Sequence, residues 1–254
     1  MKKQRKKLPK WLKTASKRFA KLPKWLKITL ECIAMLVWVF VAIFGAQYAV
    51  AYPLLWIAGR EWLISPVGTA VYSAIAYTIA MLLIILVPWK IFKKWKTNRE
   101  ELGLLNEPTW TDIGLAPIGY AASLLLAWVF TAIFSVFPWF DAAQAQEVGF
   151  DSLVSGGDRL VAFITLVIVA PIAEEIIFRG WLYGKLRAKM SMIPAMLIVS
   201  ILFGIVHGQW NVGITVFAIS LVLCFLRETT GTIYSGILVH MLKNGIAFFL
   251  LYMI

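Results

Sequence analysis

The sequence predicts an all-α fold: a polytopic integral membrane helical bundle of about seven transmembrane helices, with its amino terminus in the cytoplasm. Three observations predict it. Apolar residues make up 61% of the 254 positions and charged residues only 15%, against roughly 45–50% and about 25% in soluble globular chains. The apolar residues gather into seven runs, most of them near the ~20 residues that a bilayer crossing needs. Such runs are too long and too many for one removable signal peptide. Finally, 12 of the 25 Lys and Arg residues crowd into the first 27 positions, with no acid among them, directly before the first run.

The elements follow in order. Residues 1–27 form a basic juxtamembrane tail that carries "LPKWLK" twice, at Leu8–Lys13 and Leu22–Lys27. Trp and Leu beside lysines suit the membrane interface, and the tail is expected to bind anionic lipid head groups. Amino-terminal helices occupy 28–140, with spans at about 28–50, 66–88 and 115–138. Between the second and third, "EELGLLNEPTWTDIGLAP" (Glu100–Pro117) is mixed in character. Its part near 100–115 is expected to rest on the inner interface, with Thr109 capping a short helix there. After the acidic loop Asp141–Asp158, residues 158–254 hold four more spans, at about 159–180, 192–210, 212–227 and 231–253.

Loop charge sets the orientation. With the amino terminus inside, the inner segments hold 22 of the 25 Lys and Arg, the outer ones only Arg60 and Arg159, and Lys243 lies within the last span. Positive charge marks the cytoplasmic side, so a multi-pass protein of the cell membrane is expected. A short basic tail with no organelle signal points to a bacterial source. The net charge of +12 belongs mostly to the tail and does not form a nucleic-acid surface. No nucleic-acid motif, phosphate-binding glycine loop or zinc-finger spacing occurs. Cys32 and Cys224 sit inside apolar runs and read as small buried hydrophobes, not a disulfide or a metal site.

An ionisable residue inside a span must be paired, hydrated or neutral, and so marks a candidate functional site. The back half of the chain gathers these in three short motifs: "EEIIFR" (Glu174–Arg179), "FGIVH" (Phe203–His207) and "HMLKN" (His240–Asn244). His207 and His240 are the two histidines of the protein. Residues four apart share a helix face. Glu175 can therefore pair with Arg179, Glu174 is left to face a cavity, and His240 and Asn244 are presented together. If the fourth and fifth spans turn near 190 and 191, Glu174 and His207 stand at one level. His240, about nine residues into the last span, joins them if the helices tilt.

In sequence and order these motifs resemble those of the CPBP family of intramembrane endopeptidases, the CAAX-protease and bacteriocin-processing group, also called Abi. EExxxR matches Glu174, Glu175 and Arg179; FxxxH matches Phe203 and His207; HxxxN matches His240 and Asn244. The resemblance covers about Asp158 to Ile254, so 158–254 is expected to be a catalytic helical core.

Peptide hydrolysis needs an activated water and a stabilised oxyanion. Glu174 is placed to act as general base, His207 to hold or share the water, and His240 and Asn244 to donate hydrogen bonds to the oxyanion. The resemblance implies the same division of labour, without a metal, for a peptidase like a CAAX prenyl protease. Glu175, Arg179 and Phe203 support the arrangement. Three ligands of suitable type also allow an alternative, Zn2+ held by Glu174, His207 and His240, although the HExxH spacing that usually presents zinc ligands is absent. The expected substrate is a membrane-associated peptide or lipidated protein delivered from the cytoplasmic side. Rival readings are a non-catalytic immunity factor or scaffold of the same fold, and a proton-coupled transporter.

Overall fold

Hydropathy locates the helices, but local backbone chemistry sets their ends. The computed structural model describes residues 21–144, 150, 153 and 155–253. The first copy of LPKWLK and most of the basic tail lie outside them. Helix α1 runs from Lys24 to Ile64, well past the expected end at 50. Pro53 does not stop it, and apolar side chains such as Tyr52, Trp56 and Ile57 stay on its outer surface. The chain bends instead at Gly59, where φ is 80° and ψ 167°. Ser65 then caps α2 (Pro66–Leu86) by accepting from the Gly68 amide, with Pro66 in the first turn, where its missing N–H is not needed.

Helix α3 is Trp110–Phe134, so it takes up residues 110–115 of the segment expected to lie on the interface. Thr109 caps this span itself, not a separate short helix. The Thr109 hydroxyl accepts from the Asp112 amide, and Asp112 accepts from the Thr109 amide at 2.8 Å, a reciprocal capping box. The buried Asp112 also accepts from Ser235 at 2.6 Å, which ties the start of α3 to the start of the last helix.

Helix α4 is Gly156–Arg187, opened by a second capping box between Ser155 and Asp158. Two π-helical stretches interrupt it, Ile164–Val169 and Ile176–Tyr183. Helix α5 (Met192–Ile205) has 14 residues, about 21 Å at 1.5 Å per residue and too short for a ~30 Å hydrocarbon core. The expected fifth span, 192–210, is thus cut short: Gly208 takes φ +75° and turns the chain. Helices α6 (Trp210–Thr230) and α7 (Tyr234–Tyr252) complete the bundle, and Gly231 at φ 72° closes α6. Among the described residues, six of these seven helices are long and apolar enough to cross a membrane.

Helices α1 and α2 pack as a hairpin, while α6 packs on α3 and α5, and α7 on α3. Helix α4 runs through the middle, and Ile177, Phe178, Trp181, Leu182 and Leu186 bury against α1, α2, α5 and α6. Large apolar side chains cover the outside, among them Leu125, Trp128, Ile201 and Phe249, each more than half exposed. That surface suits lipid. The basic segments meet at one end of the bundle: Lys189 pairs with Glu31, Lys185 with Glu101, and Arg187 with Glu228 at 2.8 Å. Trp139 packs on Trp210 at the other end.

Candidate active site

The first motif lies between the two π stretches. Because the first π stretch ends against Pro171, the Leu166 carbonyl has no helical donor: the Ala170 amide turns to Thr165, and Pro171 has no N–H. Asn244 supplies the missing hydrogen, its Nδ2 donating to the Leu166 carbonyl at 2.8 Å. Such π turns occur often where helices carry function. Here one exposes a main-chain acceptor that fixes the amide of the third motif.

The two glutamates separate as a 100° step requires. Glu175 is fully buried, and its Oε1 accepts from Arg179 Nη1 at 2.8 Å and lies 3.1 Å from His240 Nδ1. Glu174 turns to a cavity. Its Oε1 accepts from the Tyr77 hydroxyl at 2.7 Å, and its Oε2 is 3.7 Å from His240 Nε2. His240 thus stands between the two carboxylates, with Nδ1 at hydrogen-bond distance from Glu175 and Nε2 turned toward Glu174. Gly236, one turn before His240, lets α7 come this close: a Cβ there would lie 3.1 Å from Glu175 Oε2.

His207 follows the last turn of α5, where the helix has released its carbonyls. Its Nδ1 is 2.7 Å from the Phe203 carbonyl. An oxygen of that kind only accepts, so Nδ1 carries the hydrogen and Nε2 remains as an acceptor. Phe203 is the hub of the second motif. Its ring packs edge-on against Phe178, His207 and His240, and the Arg179 guanidinium lies 4.4 Å from its centroid.

Glu174, His207, His240 and Asn244 line one cavity of about 160 Å³, brought together from α4, the end of α5, and α7. A second cavity of about 170 Å³ lies on the other side of Glu174 and His207, against α1 and α2. Glu174 is about 20 Å along α4 from Arg187 at 1.5 Å per residue. His240 begins lower, the seventh residue of α7 and not about nine residues in, because α7 starts at Tyr234. Among the described residues no group of three or more His, Cys, Asp or Glu side chains is arranged to hold a metal ion.

Residues 156–246 match the family model described as type II CAAX prenyl endopeptidase, Rce1-like. Over that segment, about a third of the chain, the sequence is similar to a CAAX protease-like family. YdiL of Bacillus subtilis (strain 168), whose assigned name is that of a membrane peptidase, is 39% identical over 77 residues, 30% of this chain. The chain spans about a third of that relative's length, 32%. No solved structure matches the chain. All seven motif residues fall inside the CAAX protease-like segment.

One polar neighbour of the site lies outside that segment and escaped the sequence reading. Tyr77 sits in the second span, and a tyrosine in an apolar run reads as a core or interface ring. The signal that could have found it is its setting on α2: Ser73, Ala76 and Ala80 surround it at helical spacing. They make a small-residue face over which its hydroxyl reaches α4.

Proposed function

We propose that this protein is an intramembrane endopeptidase that hydrolyses a peptide bond in a membrane-associated peptide or a lipidated protein. The observation that carries the reading is the meeting of Glu174, His207, His240 and Asn244 in one cavity whose other lining side chains are mostly apolar. A water there can donate one hydrogen to Glu174 Oε2 and the other to His207 Nε2, leaving its lone pair for the substrate carbonyl. As that oxygen attacks, Glu174 takes the proton and the carbonyl π pair moves onto the oxygen. The second N–H of Asn244 and a ring N–H of His240 are the available donors for the oxyanion. Collapse expels the amine, which receives the proton from Glu174. General-base help of this kind contributes typically ~10²–10⁴-fold, and each oxyanion donor about 10²–10³-fold.

The basic end of the bundle faces the cytoplasm in this reading, by the positive-inside bias. The substrate enters from that side of a bacterial cell membrane, and the basic tail holds anionic lipid. The test compares peptides in cells that express the native protein and Glu174→Gln or His207→Ala, with insertion checked by fractionation. Products that appear with the native chain alone support the reading. If Glu174→Gln releases the same products at the same rate, the reading is wrong. Full biological activity in the motif variants would leave a scaffold or immunity factor. Turnover that survives strong chelation supports hydrolysis without a metal, whereas loss restored by Zn2+ would assign Glu174, His207 and His240 as ligands.

A further inference from the structure

We infer that Tyr77 is a positioning residue of the active site, so that the α1–α2 hairpin, outside the CAAX protease-like segment, completes the machinery. The inference rests on the endopeptidase reading above. It starts from the division of labour within one carboxylate. Glu174 Oε1 is taken by the Tyr77 hydroxyl at 2.7 Å, while Oε2 is left facing His240 Nε2 at 3.7 Å.

A glutamate needs that restraint. The terminal torsion of its side chain is broad, and a carboxylate that swings cannot hold a water within the ~2.6–3.2 Å that proton transfer demands. Among the described residues of the catalytic segment, the other polar groups are engaged elsewhere and none hydrogen-bonds Glu174: Arg179 serves Glu175, Asn244 the Leu166 carbonyl, and His207 Nδ1 the Phe203 carbonyl. Tyr77 reaches it from another helix, a separation of 97 residues in sequence. Because a hydroxyl already donates to Oε1, the proton taken from water goes to Oε2, the oxygen on the histidine side.

The cavities support the same role. Tyr77, Glu174 and His207 are the residues common to the two cavities, one against α7 and one against α1 and α2. The tyrosine–glutamate bond therefore lies on the wall between them, where an extended peptide crossing from one to the other would pass. The second cavity takes Ile43, Gln47, Ser73 and Ala76 from the hairpin, so α2 contributes both the restraint on the base and part of the space beside it.

The test uses the full chain in detergent and the peptide whose cleavage depends on Glu174 in the cell comparison, made with a fluorophore and a quencher. Tyr77→Phe keeps the ring and removes the hydroxyl. It is expected to lower kcat about 10–100-fold, with KM within twofold of native and an unchanged melting temperature. Tyr77→Ala should do no better. Native kcat in Tyr77→Phe, with Glu174→Gln inactive, overturns the inference and leaves the endopeptidase reading standing. A fall in melting temperature with kcat unchanged makes the bond structural only and also overturns it. Turnover retained in Glu174→Gln sinks both.

Discussion

Replacing Arg179 by methionine isolates the buried ion pair that holds the first motif. Neither Arg179 nor Glu175 has any exposed side-chain surface, and Nη1 donates to Oε1 at 2.8 Å. Methionine roughly keeps the volume and the apolar contact with Phe203 but strands a carboxylate. Glu175 Oε2 already lacks a hydrogen-bond partner, so His240 Nδ1, 3.1 Å from Oε1, is the hydrogen-bond partner left to the carboxylate among the described residues. Breaking a buried pair from one side costs about 3–5 kcal/mol. Loss of the guanidinium over the Phe203 ring, 4.4 Å from its centroid, adds about 1–2 kcal/mol for a desolvated contact. At about 2–4 °C per kcal/mol for a chain of this size, the midpoint should fall by roughly 8–28 °C. The assay is thermal unfolding in a mild detergent, followed by tryptophan fluorescence. The double variant Glu175→Gln/Arg179→Met keeps an oxygen for His240 without the stranded charge, and should melt above Arg179→Met. A single variant within 2 °C of native, or a double variant lower than the single, would refute this account of the pair.

Three further outcomes follow from particular backbone and side-chain positions. Gly208→Ala should lose about 1–2 kcal/mol, the cost of placing an L residue in the left-handed region, because φ is +75° and no atom stands within 4 Å of the added Cβ. Gly208→Asn should lose less, and chemical unfolding of the pair compares them directly. Asn244→Ala should lower stability by about 1–3 kcal/mol as well as turnover, since the Leu166 carbonyl is left without its donor; a melting curve as high as native would contradict that. Gly236→Ala puts a methyl group 3.1 Å from Glu175 Oε2, and should cost about 1–3 kcal/mol as the helices shift apart. Activity measured well below its midpoint should also fall, because His240 moves with α7.

Much of the architecture can be read from composition. Lipid accepts no unpaired backbone groups, so long apolar runs must become helices, and their number follows from counting. Where runs end is less legible. The α1 helix passes Pro53 to reach Ile64, and α3 begins at a capping box that hydropathy cannot register. Helix α5 stops because of one glycine dihedral. In each case a few hydrogen bonds or one backbone angle decides, and apolar content barely changes across the boundary.

The same division holds for the candidate site. Sequence alone determined the seven motif residues and the pairing of Glu175 with Arg179, because an i to i+4 spacing fixes which side chains share a helix face. Only the tertiary structure decided that His240 stands between two carboxylates, that Asn244 serves a carbonyl freed by a π turn, and that Tyr77 reaches Glu174 from α2. Those contacts join helices far apart in the chain. Their geometry depends on how closely the helices approach and how each is rotated, quantities that packing sets and no local spacing encodes.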